Sequence, residues 1–361
     1  MNKFKILSLF SSAGIAEFGF SDDAYDIVLA NELLPIRAKL HKYWHPNTEV
    51  VCGDITLSNI KKEIIEKSRK NKVNFIFATP PCQGVSLIGK NKTNDQMLSD
   101  KRNYLIFHIF DVIDELKPEI VLIENVARFL KLKYPTDTGF ETIEKIIKDK
   151  YGEKYNISCA VYDAADYGVP QHRKRAIIKM WKNKKIKWEE PMKCDFITVR
   201  EAIGDLPSLE SGEKSDIKNH NARTHSIDNV LCMKHTPTGK SATENEIYYP
   251  KNKKTGKRIL CYPASYKRIE WDKPAPTITM RNDCISSQSN VHPGRLLPDG
   301  TYSDARVLTL RELFILSSMN PDIDVPCDVS DIQIRHMIGE AVPPKLISAI
   351  LSGIKGDKSN D

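Results

Sequence analysis

The stretch VNFIFATPPCQGVS, residues 73–86, joins an apolar run to a loop that carries one cysteine between two prolines and a glycine. A short apolar run bounded by turn residues reads as a buried strand. Runs of the same texture recur at 5–10 (KILSLF), 25–30 (YDIVLA), 49–53 (EVVCG), 119–125 (EIVLIEN), 157–163 (ISCAVYD) and 176–181 (AIIKMW). Helical segments are expected between them, near 34–43, 57–69, 103–116 and 139–149. This alternation predicts an α/β fold, a doubly wound parallel sheet whose ligands bind at the carboxyl ends of the strands. Cys82 then falls on a loop at such an end, where Pro80 and Pro81 limit the backbone and Gly84 lets it pass close to a substrate. Taken alone, a rigid turn holding an incidental thiol fits the stretch equally well.

The 361 residues can fill one large domain and a smaller one, and 40% hydrophobic with 28% charged residues is ordinary for a soluble globular protein. No apolar run approaches the ~20 residues that span a bilayer, and MNKFKILSLFSSAG lacks the order of a signal peptide, so a cytoplasmic protein without a membrane partner is expected. The net charge of +7 favours a polyanionic partner without specifying one. Eight cysteines show no Cys-x-x-Cys pair and no histidine at zinc-ligand spacing, which argues against a metal site and a disulfide framework.

After Lys182 the texture changes to KNKKIKWEEPMK, and about a hundred irregular residues follow before RVLTLRELFILSSM (306–319) restores periodicity. The expected division is a first domain over 1–185, a smaller loop-rich domain over 186–332, and a C-terminal helix over 333–361 returning to the first.

Two further clusters could share a cleft with Cys82. Glu124 and Asn125 end the strand in LIENV, and Arg173 and Arg175 alternate in DYGVPQHRKRAII, so that both guanidiniums would face one side in extended structure. Together PPCQG, ENV and Gln171-x-Arg173-x-Arg175, in that order, resemble the C5-cytosine DNA methyltransferases of bacterial restriction–modification systems. YKRIEWDKPAPTIT (266–279), RVLTLREL (306–313) and GEAVPP (339–344) are similar to that family's later segments, and the likeness spans roughly residues 4 to 352.

The resemblance implies a Rossmann-like methyltransferase domain with a target-recognition domain, S-adenosylmethionine as cofactor, and double-stranded DNA as partner. Cytosine C5 is a poor nucleophile until a group adds at C6, and a thiolate both adds and leaves well. Cys82 is the implied nucleophile, and a nearby arginine would help to lower a thiol pKa that is ordinarily about 8.5. Glu124 would hold N3 and the exocyclic amine as charge develops, with Arg175 on the O2 edge and Arg173 supporting the same pocket.

For the cofactor, Phe10, Ser11, Ala13 and Gly14 stand where family members usually have Phe-x-Gly-x-Gly-Gly, with Ser12 and Ile15 replacing two glycines. Glu32 would accept from the ribose hydroxyls, Asp54 from the adenine amine, and Ile55 would pack on the ring. Pro80, Leu105, Glu340 and Val342 complete the implied set, with Glu340 where the family normally has Asn.

A base inside a duplex must be turned out to meet such a site. The implied DNA contacts are Gln83, Gly84 and Ser86 of the cysteine loop and Lys251, Lys253, Lys254, Lys257 and Arg258 of the basic run KNKKTGKR. A monomer and a companion restriction endonuclease acting on the same site are also expected. Two alternatives stay open, a transfer-RNA cytosine-5 methyltransferase, although no cysteine here is followed by Phe, and a non-catalytic DNA-binding homologue.

Overall fold

The structure is a computed structural model that describes residues 3–81, 100–137, 139–182, 186–252, 254–259 and 264–356. Two compact units divide the chain. The first comprises Met1–Asp163, Lys174–Met192 and Ile347–Asp361, and the second Ala164–Arg173 and Lys193–Leu346.

In the first unit, strands β1 (Phe4–Leu9), β2 (Tyr25–Glu32), β3 (Glu49–Cys52), β4 (Phe75–Ala78) and β5 (Ile120–Val126) are joined by helices α1 (Pro35–Trp44), α2 (Ser58–Lys70) and α3 (Leu105–Leu116). The hairpin β6 (Lys133–Thr136) and β7 (Gly139–Thr142) precedes α4 (Ile143–Tyr151), and β8 (Asn156–Asp163) and β9 (Lys174–Trp181) follow. Seven strands form one sheet in the order β3-β2-β1-β4-β5-β9-β8, with β10 (Ile186–Trp188) and β11 (Ile354–Gly356) paired separately.

Every residue of β4 is buried, as a central strand covered on both faces requires. On one face Leu7, Ile76 and Val121 pack with Ile64 of α2 and Ile109 and Ile113 of α3. On the other, Phe20, Tyr25, Phe75 and Phe77 form an aromatic cluster, with the Phe20 and Phe77 rings 5.2 Å apart.

The expected parallel sheet holds from β3 to β5, but β9 runs antiparallel to both β5 and β8. The connection over 164–173 is too short for a crossover helix, so the chain returns antiparallel. The helix expected over 139–149 begins instead at Ile143, because 139–142 pairs with 133–136 and Thr142 caps the helix by accepting from the Lys145 amide. Among the described residues no helix is long and apolar enough to cross a membrane.

The second unit has short helices, α5 (Val199–Ile203), α6 (Ile227–Lys234), α7 (Leu310–Leu316) and α8 (Asp331–Glu340), tied among the described residues by isolated bridges rather than ladders. Loop carbonyls buried without a ladder need other donors. Fully buried arginines supply them. Arg268 donates to the carbonyls of Met233, His292, Ser303 and Asp304, at 2.7–3.1 Å for its Nη contacts. Gly294 makes room, since a Cβ there would lie 2.4 Å from Arg268 Nη1. Arg306 spans Glu312 with two contacts of 2.9 Å and also reaches Asp304 and the Leu209 carbonyl. Burial resists ionisation of Glu312, but Arg306 holds its carboxyl well below the usual range.

Candidate active site

The carboxyl ends of β1 to β5 meet in the first unit, beginning with the turn after Leu9. Phe10, Ser12 and Gly14 all have positive φ, at 58°, 48° and 78°. For residues with side chains this left-handed conformation costs roughly 1–2 kcal/mol each, so neighbouring bonds must hold it. Ser11 donates its amide to the Asn31 carbonyl at 3.0 Å, and Ser12 donates its own to Glu32 Oε2 at 2.8 Å. Thr79 Oγ1 donates to the Phe10 carbonyl at 3.0 Å.

The two departures from the glycine pattern therefore differ in kind. Ile15 is right-handed, with φ −68° and ψ −44°, and buried, so its position does not need glycine. Ser12 adopts the conformation that glycine takes freely.

Glu32 is buried at the end of β2, and its second oxygen accepts the Leu34 amide at 2.9 Å. Asp54, after β3, shapes its own loop by accepting the Thr56 amide at 2.9 Å, while Ile55 is buried in the core. Pro80 is buried after β4, and its carbonyl accepts from Asn125 Nδ2 at 3.0 Å. Leu105, half-buried, opens α3.

Glu124 and Arg175 come together. Val126 stands opposite Arg175 in the β5–β9 register, so Glu124, two residues back, shares that face. Arg175 Nε lies 2.8 Å from Glu124 Oε1, and both side chains are about nine-tenths buried. Arg175 Nη1 donates to the Lys174 carbonyl, and Nη2 makes no hydrogen bond among the described residues.

Arg173 makes backbone contacts of its own. It precedes β9, belongs to the second unit, and donates to the carbonyls of Ile278 at 2.7 Å and Gly339 at 2.8 Å. Gln171 likewise bridges within that unit, donating to the Leu316 carbonyl and accepting from the Ile278 amide. Gly339 is tightly placed, since a Cβ there would meet the Thr279 carbonyl at 2.3 Å. Glu340, half-buried, ends α8, and Val342 is buried beyond it, both in the second unit.

Cys82, Gln83, Gly84, Ser86 and Lys253 lie outside the described residues. The rest of the basic run forms a tight turn in which Lys251 bridges Arg258, the Asn252 amide donates to the Lys257 carbonyl, and Asn252 Oδ1 accepts the Lys254 amide. Lys251, Lys254 and Lys257 are exposed. Arg258 has a structural share in the turn: it donates to the carbonyls of Thr243 and Asn245 and stacks 3.7 Å from the Tyr249 ring centre.

Sequence reasoning did not single out Thr79, Glu17, His41 or His45. Glu17 is 2% exposed and accepts from Ser8 Oγ at 2.6 Å. His45 Nε2 lies 2.7 Å from the Gly14 carbonyl, a contact spanning 31 residues that no local pattern announces.

The family described as C-5 cytosine-specific DNA methylase matches residues 4–356. The chain is 49% identical over 344 residues to the Type II methyltransferase M1.HgaI of Avibacterium volantium, covering 95% of this chain and 96% of that protein. It is 30% identical over 356 residues to the Type II methyltransferase M1.HphI of Haemophilus parahaemolyticus, covering 98% and 87%. Among solved structures, a prophage-encoded E. coli protein described as a DNA modification methyltransferase superposes with a TM-score of 0.68 at 21% identity, covering 97% of this chain and 98% of that one.

Proposed function

The chain belongs to the C-5 cytosine-specific DNA methylase family, and from that premise we propose that it methylates cytosine C5 within a specific duplex sequence as the modification enzyme of a restriction–modification system. The observation that carries the site assignment is the buried Glu124–Arg175 pair at 2.8 Å, at the carboxyl end of the strand beside the one that leads to Cys82.

In this reading the target cytosine leaves the duplex, and the Cys82 thiolate adds to C6. Arg175 keeps Glu124 oriented before the base arrives. Glu124, taking up a proton from solvent as the base enters, donates it toward N3 as charge moves there and accepts from the exocyclic amine with its other oxygen, and Arg175 Nη2 is the donor left to meet O2. Loss of the C5 proton to a base and expulsion of Cys82 restore the ring. Arg173 fixes the Ile278 and Gly339 backbone.

S-adenosylmethionine fits the first unit. The turn after β1 leaves a buried Ser12 Oγ with no hydrogen-bond partner among the described residues, a polar group that a ligand at this turn would meet. When bound, the cofactor supplies the methyl group. Glu32 retains lone pairs for the ribose hydroxyls beyond the two amides it accepts, and Asp54, Ile55 and Leu105 are assigned to the adenine, and Phe10, Ser11, Ala13 and Pro80 to the rest of the cofactor, by their motifs. Glu340 and Val342 are assigned from their motif alone.

Lys251, Lys254 and Lys257 are suited to phosphate contacts, and Lys253, Gln83, Gly84 and Ser86 are assigned to DNA by their motifs. A companion endonuclease, action as a monomer and a cytoplasmic location complete the proposal. Bisulfite sequencing of plasmid DNA from expressing cells should reveal 5-methylcytosine at one recurring sequence. Cys82→Ala should abolish that signal and the covalent trap formed with 5-fluorocytosine duplex, and unmethylated plasmid from the wild-type chain would refute the activity.

A further inference from the structure

Two histidines of the α1 end crowd the underside of the turn after β1. His45, the residue that closes α1, sets Nε2 2.7 Å from the Gly14 carbonyl. A carbonyl only accepts, so the ring is the donor there. The His45 ring packs 4.6 Å from Phe18 and 4.9 Å from His41, centre to centre. His41 is wholly buried with neither ring nitrogen in hydrogen-bonding geometry among the described residues, and the Ser12 backbone is the polar group that faces it. A Cβ at Gly14 would fall 2.6 Å from the His45 ring and 2.9 Å from His41 Nδ1. The rings therefore fill the space beneath a turn that places two side-chain-bearing residues, Phe10 and Ser12, in left-handed conformations. Burying an imidazole with unmet nitrogens is unfavourable.

We propose that His45, backed by His41, is a positioning residue for the cofactor: it holds the Gly14 carbonyl and wedges the turn so that the backbone keeps the shape a glycine-rich turn adopts unaided. The proposal rests on the reading that this turn receives S-adenosylmethionine.

Calorimetric binding of S-adenosylhomocysteine to the full chain without DNA tests it. His45→Ala should weaken binding about tenfold, the effect of losing one well-placed hydrogen bond with its packing. His45→Gln, which keeps an N–H donor, should stay within about threefold of wild type, whereas His45→Phe, which keeps the packing alone, should remain weakened. Coupling to the strained residue is the sharper readout. In the S12G background, where the left-handed conformation is free, the penalty of His45→Ala should fall below about threefold. In steady state, KM for S-adenosylmethionine should rise while kcat at saturation is kept. Wild-type protein that binds no cofactor would refute the reading of the turn. Wild-type binding with an unweakened His45→Ala variant, or an undiminished penalty in S12G, would refute the brace while leaving that reading intact.

Discussion

Replacing Glu17 by glutamine should change how stability depends on pH. Glu17 sits in the 3-10 turn Ala16–Gly19, directly after the proposed cofactor turn, and is 2% exposed. Burial raises its pKa to about 7 from 4.5, only partly offset by the Ser8 hydroxyl and its own backbone, with Glu32 adding a further rise. The folded chain therefore holds a proton between about 4.5 and 7 that the unfolded chain has released, so stability falls as pH rises through that window and is level above it. A shift of about 2.5 units at 1.36 kcal/mol each makes the loss roughly 3 kcal/mol. Glutamine keeps an oxygen to accept from Ser8 Oγ and does not titrate. Urea unfolding at pH 5 to 8 without cofactor should show Glu17→Gln close to wild type at pH 5 and more stable by roughly 2–3 kcal/mol at pH 8. A difference that is constant across that range would mean that Glu17 is not protonated in the folded state, and the reasoning would fail.

Glu124→Gln, which leaves Arg175 without its anionic partner, should lower kcat by at least about a hundredfold while S-adenosylhomocysteine binding is unchanged; single-turnover methylation checks it. Arg306→Met strands the buried Glu312 carboxylate, while Asp304 keeps Arg295, and should destabilise the chain by about 3–5 kcal/mol, read by urea unfolding at pH 7. Lys254→Ala with Lys257→Ala should weaken cognate and non-cognate duplexes alike and flatten the dependence of log K on log salt by about 0.9 for each phosphate that is no longer neutralised, measured by fluorescence anisotropy.

The strands of the first unit were legible because a strand covered on both faces reads as a mostly apolar run, and each of KILSLF, YDIVLA and VNFIFA is one, with few polar residues. Their direction was not. Apolar texture is the same in β9 whether it runs parallel or antiparallel, and only the short 164–173 connection decides. The pairing of Glu124 with Arg175 was within reach of alternation, but Arg173 obeys a different constraint, since its carbonyl partners at Ile278 and Gly339 are more than a hundred residues away in sequence. In the second unit, Arg268 and Arg306 read as charges in a motif and prove to be the donors that a domain without ladders needs for its buried carbonyls. The turn after β1 makes the general point most directly. Its letters announce two missing glycines, yet the backbone requires glycine-like φ at Ser12 and not at Ile15, and the groups that make this tolerable, Glu32 and His45, arrive from 20 and 31 residues away. A motif departure thus carries a cost only where the local φ demands it, and what offsets that cost is set by tertiary contacts rather than by neighbouring residues.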